Sequence, residues 1–300
     1  MEIIAQGPPG AKVRVYEGAN MRLTLLTALA MIAFAANSLA NRYALLDGAA
    51  GPADFASLRA FSGVVVLFVL VVWRNGGLPR ITRLRPAAVL GLTTYLLGFS
   101  FAYVSLDAGL GALVLFGLVQ VTMFAGALIE GERPPPLRWL GMALALAGLA
   151  LLTRPGASGA APVPLLLMGI AAIGWGVYSL VGRNAGEPVA ATLWNFVYAL
   201  PVVAAAPLLW PDQVSLTLAG AIAAIVSGGL FSALGYALWY SLLPTLGATR
   251  AALAQLSVPA IALALGSLLL GEAVTLSALL SAGLILAGIA LGLMPRREGG

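Results

Sequence analysis

"IEGERP" (129–134) and "LGEAV" (270–274) each set a Gly-Glu pair between two long apolar runs. A carboxylate is expensive in such company, yet it recurs after 140 residues, at Glu132 and Glu272. Slid by 140 residues, the stretch 112–155 overlays 252–295 without a gap, and 14 of 44 positions are identical. About four or five matches would be expected of so Ala-, Leu- and Gly-rich a chain. "LALAGLAL" (144–151) falls on "LILAGIAL" (284–291). At an offset of 141, "NSLANR" (37–42) falls on "YSLVGR" (178–183), and at 137 Gly98 and Tyr103 fall on Gly235 and Tyr240. The chain is two copies of one unit.

The medium follows from composition. Of 300 residues, 61% are hydrophobic and 9% charged, against roughly 25% charged in a soluble domain. This predicts an all-α integral membrane protein. Ten apolar spans are expected, at 23–44, 54–73, 86–106, 108–129, 135–153, 163–183, 189–209, 216–242, 247–270 and 273–294. Residues 1–21 read as a polar cytoplasmic tail, 22–155 and 156–295 as the two five-helix repeats, and 296–300 as a C-terminal cytoplasmic tail. The first span, with Arg22 before it, has the look of a secretory signal, but the spans that follow make it an uncleaved helix.

Basic residues set the orientation. With the N-terminus in the cytoplasm, thirteen lie on the inner side, Arg42 and Arg154 on the outer side, and Arg59 within the second span near its outer end. Both termini are then cytoplasmic, and the net charge of +5 reports topology rather than nucleic-acid binding. A five-helix unit has an odd number of crossings, so the second copy enters inverted, the plan of many secondary transporters. Glu132 and Glu272 then lie at opposite faces, each expected to cap the helix that follows it.

Several chemistries are excluded or left without support. There is no nucleotide-binding Gly-rich loop, and Lys12 is the only lysine, so ATP-driven transport within this chain is out. No His or Cys is present, so no zinc or haem site and no cofactor is expected. No acid–base cluster lies at depth, which argues against an enzyme. No Asp or Glu falls in the middle of a span, which favours facilitated flux over proton coupling.

What remains at mid-depth is aromatic and amide. Tyr95, Phe99 and Tyr103 recur every four residues and share a helix face, as do Tyr236 and Tyr240, with Trp239 beside them. Trp175 and Tyr178 match Phe34 and Asn37 of the first copy, and Gln120 and Gln255 add two amides. Asn37, Tyr95, Phe99, Gln120, Trp175, Tyr178, Tyr236, Trp239 and Gln255 are the candidate substrate-binding residues. Their alternative is an interface belt of aromatics and interhelical amide bonds. Pro259 is expected inside span nine, freeing the carbonyl of Gln255, as a gate or a static kink. Arg42 and Arg183 read as anchors or as partners of Asp47 and Glu187. Gly288 with Gly292, and Ala143 with Ala147, make spans ten and five a scaffold or the face of a homodimer.

The Ser-Leu-x-x-Arg end of each first helix and the Gly-Glu pair before a "LAG" helix resemble the drug/metabolite transporter superfamily, EamA type, across residues 22–295. "FAANS" stands where the family often has a "WGxNF" stretch, though the second copy keeps "GWGVYS", and Ser281 replaces a glycine common in that helix. The resemblance, closest to amino-acid exporters, implies ten helices, a central cavity and export of small metabolites across a bacterial inner membrane. A drug or organic-cation exporter is the runner-up, and a channel the alternative from another class.

Overall fold

The computed structural model describes residues 11–46, 48–77, 80–81, 83–129, 131, 134–152, 161–182, 187–255 and 257–292. Side chains are described there except within 11–20 and 247–253 and at 127, 152, 188, 240, 243, 244 and 292. Glu132, Arg183, Asp47 and Arg154 lie outside the described residues.

The first copy forms α1 (Ala11–Leu46), α2 (Pro52–Asn75), α3 (Pro86–Ala102), α4 (Ala108–Ile129) and α5 (Pro136–Leu152). The second forms α6 (Pro162–Gly182), α7 (Pro188–Ala204), the single turn α8 (Ala206–Leu209) and α9 (Leu218–Ile225). A π-helical segment (Val226–Leu234), α10 (Gly235–Gln255), α11 (Ser257–Leu270) and α12 (Leu276–Gly292) complete it. Six of these stretches are long and apolar enough to cross a membrane, and four shorter apolar helices (86–102, 136–151, 257–270 and 276–291) accompany them.

Punctuation in the sequence explains the ends. Proline opens α2, α3, α5, α6 and α7, where its missing N–H breaks no helical bond. Gly131 and Gly271, the repeated glycines of the opening motif, follow α4 and α11 at φ +84° and +67°. That left-handed conformation suits glycine and stops a helix. The Gly of each Gly-Glu pair is thus a helix stop.

Two boundaries differ from expectation. The helix of span eight does not end near 243: α10 runs on through Pro244 to Gln255. Membrane helices tolerate such a proline because neighbours satisfy the freed carbonyl. Pro259 is buried in the helical stretch that follows Leu256, a residue outside the described ones. At the other end of the chain, α1 already starts at Ala11, within the stretch read as a tail.

The two copies interleave, and their contacts exchange when the copies are exchanged. α6 packs on α3 and α4 of the first copy, while α1 packs on α10 and α11 of the second. α2 meets α7, and α5 meets α12. Glycine sets how close these helices come. A Cβ on Gly91 or Gly174 would strike the other's carbonyl oxygen across the α3–α6 crossing. The repeat-related Gly148 and Gly288 do the same for α5 and α12, against Ser281 O and Gly141 O. Such small-residue contacts let helix backbones touch where no hydrophobic effect drives them together.

Gly288→Leu should therefore cost about 1–3 kcal/mol by overpacking and lower the melting temperature in detergent. Gly283→Ala on the same helix, where an added Cβ meets nothing within 4 Å, should leave it unchanged. Equal melting of the two variants would remove the close crossing as a source of stability.

Candidate functional site

The centre of the bundle is built from both copies. Phe34, Asn37 and Ser38 of α1, Tyr95 and Phe99 of α3, Leu115 and Phe116 of α4, Trp175 of α6 and Tyr236 of α10 line one small cavity. It offers about 20 Å³ to the centre of a water molecule, room for a water or so and none for an amino acid.

The four-residue spacing of Tyr95, Phe99 and Tyr103 stacks three rings along α3, with centroids 5.1 and 4.7 Å apart. Trp175 lies between Tyr95 (4.9 Å) and Tyr236 (4.8 Å), joining the copies ring to ring. Tyr178 stacks behind Trp175 at 5.4 Å, and its hydroxyl donates to Thr192 Oγ1 at 3.2 Å. Trp239 meets Phe34 edge to face at 5.8 Å. Of the nine candidates, Asn37, Tyr95, Phe99, Trp175 and Tyr236 line the cavity, and Tyr178 and Trp239 stand behind it. Gln120 and Gln255 are half-buried on α4 and α10 and do not line it.

Sequence reasoning passed over the most consequential residue. Arg59, counted only toward topology, is 0% exposed. Its Nε and Nη2 both donate to Ser232 Oγ at 3.3 Å, and Nη2 also donates to Tyr95 Oη at 3.1 Å. Its guanidinium lies over Tyr95 and Phe99, 5.2 and 5.0 Å from the ring centroids. Among the described residues no carboxylate is within 4 Å of it, and Nη1 has no hydrogen-bond partner. A guanidinium buried within a spanning helix is costly. Ring contacts return up to about 2 kcal/mol when desolvated but supply no counter-charge. The available signal was simple: Arg59 is a basic residue inside an apolar span, and such a residue is a site candidate by default.

Hydroxyls and amides continue the network. Ser227 Oγ donates to Asn37 Oδ1 at 2.6 Å, and Asn41 Nδ2 donates to Ser227 Oγ at 3.2 Å. Asn37 Nδ2 and Tyr236 Oη each donate to Tyr95 Oη at 3.3 Å. Ser227 and Ser232 are five residues apart, about 140° apart around an α-helix. The π-helical segment between them, with its i to i+5 bonding, turns both toward the same network.

At one end of the bundle the second copy completes the first. Glu272, in the connection between α11 and α12, accepts the Ala108 N–H at 2.8 and 2.9 Å through its two oxygens. It thus caps α4 of the other copy and not, as expected, the helix that follows it. The reason is local: its own N–H bonds back to Gly266 O at 3.2 Å, folding the carboxylate over a glycine whose Cβ would collide with it. Arg42 Nε lies 3.5 Å from Glu272 Oε1, and its Nη2 lies 3.3 Å from Asp107 Oδ1. Its Nη1 donates to the carbonyls of Tyr103 and Val104 at 3.2 and 3.0 Å. Asp212 repeats the theme, accepting the N–H groups of Ala53 and Asp54 at 3.3 and 2.8 Å to cap α2.

Residues 21–154 and 163–294 each match the EamA-like transporter family, once per copy. The chain belongs to that family. It is 46% identical over 278 residues to an uncharacterized protein of Pseudomonas aeruginosa, covering 92% of this chain and 96% of that one. It is 29% identical over 218 residues to a Salmonella typhimurium protein named "Probable amino-acid metabolite efflux pump", covering 66% of this chain and 73% of that one. One solved structure superposes with a TM-score of 0.64 at 21% identity, over 91% of this chain and 97% of its own, a likeness of fold alone.

Burial pushes the Glu272 carboxyl above its ordinary value near 4.5, and Asp107 adds to the rise, while the Ala108 N–H and Arg42 oppose it. The closed arrangement then binds the proton more tightly than an opened, hydrated one, so falling pH favours closure and rising pH favours opening. Because the chain has no cysteine, Ser38→Cys in the cavity wall is a clean reporter of access. Its maleimide labelling in detergent, normalised to a Glu272→Gln background, should rise with pH through a midpoint above 4.5. Glu272→Ala should raise labelling about tenfold, the 1.4 kcal/mol expected of a lost charged cap. Labelling indifferent to Glu272 would remove it from closure of this end.

Proposed function

We propose that this EamA-family protein is a secondary transporter that exports amino acids or similar small metabolites across a bacterial inner membrane by alternating access. The observation that carries this reading is the cavity at the junction of the copies, whose walls come from both and whose volume is too small for cargo. Cargo can reach such a site only when the copies move apart on one side, which suits two halves that open in turn.

Ten spans are supported by the six long apolar stretches and the four shorter ones. Arg22, Arg74, Arg80, Arg83, Arg85 and Arg138 gather at the end opposite Glu272. That supports a cytoplasmic face there, and cytoplasmic termini, by the positive-inside rule. The Glu272 end then faces outward. The printed name of the Salmonella relative supports an amino-acid cargo. Arg59 beside the cavity weighs against an organic cation, because like charge in a low-dielectric site repels it.

Counterflow of labelled amino acids into proteoliposomes tests the reading. Uptake should saturate and proceed without a pH gradient. Trp175→Ala removes a ring shared by both copies and should lower uptake at least about tenfold. Gln120→Ala should change it by less than about twofold, as a half-buried amide off the cavity wall. Flux that neither saturates nor shows counterflow would make the protein a channel. Absence of flux for every amino acid tried would end the amino-acid reading.

A further inference from the structure

The polar centre is short of acceptors. Three donors converge on Tyr95 Oη: Asn37 Nδ2, Arg59 Nη2 and Tyr236 Oη. A hydroxyl oxygen has two lone pairs. Arg59 shares one serine oxygen between Nε and Nη2, and its Nη1 donors have no partner although the side chain is fully buried. Buried donors in native proteins are nearly always paired. A guanidinium presents a rigid planar fork that matches a carboxylate in two parallel bonds.

The charge also breaks the symmetry of the repeat. Arg42 has a counterpart in Arg183, and Glu272 in Glu132. The second-copy partner of α2 is α7, which has no basic residue anywhere along its length. A cation required by the architecture of the unit would be needed in both copies. This one is present once, next to the single central cavity, sharing Tyr95 and Phe99 with its wall.

We propose that the cargo carries a carboxylate, and that Arg59 with the Tyr95 hydroxyl receives it once the aromatic wall parts. The carboxylate supplies both the missing counter-charge and the missing acceptors. Trp175 and Tyr236 are left to hold the less polar end of the cargo. This deepens the transport reading and rests on it.

The test compares phenylalanine with phenylalaninamide and phenethylamine, which keep the ring and amine and lack the carboxylate. In proteoliposomes, phenylalanine should compete with labelled amino-acid uptake at least about tenfold better than either analogue, the 1.4 kcal/mol step of a charge-assisted bond. In Arg59→Gln that preference should fall below about threefold, and Arg59→Lys should keep part of it. Tyr95→Phe, which leaves the cation in place, should weaken the preference without abolishing it. Ligand-induced thermal shift of the detergent-purified wild type gives an answer independent of flux. Across a panel of amino acids, at least one acid should raise the melting temperature where its amide does not. Wild-type flux without discrimination between acid and amide would overturn this inference and leave the transport reading standing. Absence of flux would overturn that reading, and the thermal shift would still decide on the carboxylate. No acid distinguished from its amide in the panel would overturn the inference.

Discussion

The contact on which the closed arrangement depends is a carboxylate of one copy seated on a helix end of the other. The first N–H groups of any helix lack partners within it. In a bilayer, leaving them bare costs several kcal/mol each. α4 finds an acceptor in Glu272 and α2 finds one in Asp212, and both acceptors come from the second copy. The first copy therefore has satisfied helix ends on this side only while the second lies against it. Any separation must break these bonds together and let water take their place. Arg42, bridging Glu272 and Asp107, belongs to the same set of contacts.

Not every contact between copies is of that kind. The α5–α12 crossing is set by Gly148 and Gly288. The α3–α6 crossing has the same glycine character at Gly91, Gly98 and Gly174, yet Tyr95 and Trp175 on the same helices face the cavity. Rigid small-residue seams next to a wettable aromatic and hydroxyl centre give helices that can move as units. The π-helical segment belongs to this contrast. It forgoes the tighter α geometry to direct Ser227 and Ser232 at Asn37, Asn41 and Arg59, a local cost of the sort found at functional sites.

Much of this was legible in the chain. The repeat was, because an offset of 140 preserves the Gly-Glu stop and the glycine that follows it in the next helix. The cavity aromatics were, because a ring every fourth residue shares one helical face. Contacts that cross between copies were not. Glu272 was read with the helix next to it in sequence, because adjacency is what a sequence displays, and its real partner lies 164 residues away at Ala108. Arg59 was visible and misfiled. A basic residue was counted for the face it would choose, when its position within a span already excluded either face.

Duplication itself separates two kinds of residue. Under the proposed alternating access, a closing device is needed at each face, and a duplicated unit entering inverted would supply both. In the sequence, the Gly-Glu pair and the Ser-Leu-x-x-Arg end each occur twice. Recognition at the proposed site has no such need, since the central cavity lies at the junction of the copies. Residues that recognise cargo are free to differ between copies, and an asymmetric cargo, with one charged end and one apolar end, favours that they do. The centre of this protein is asymmetric in that sense: cation and hydroxyls come from α2, α3 and the π-helical segment, and indole from α6. Symmetry at the rims and asymmetry at the centre are what alternating closure around a polar-ended molecule demands of a duplicated chain.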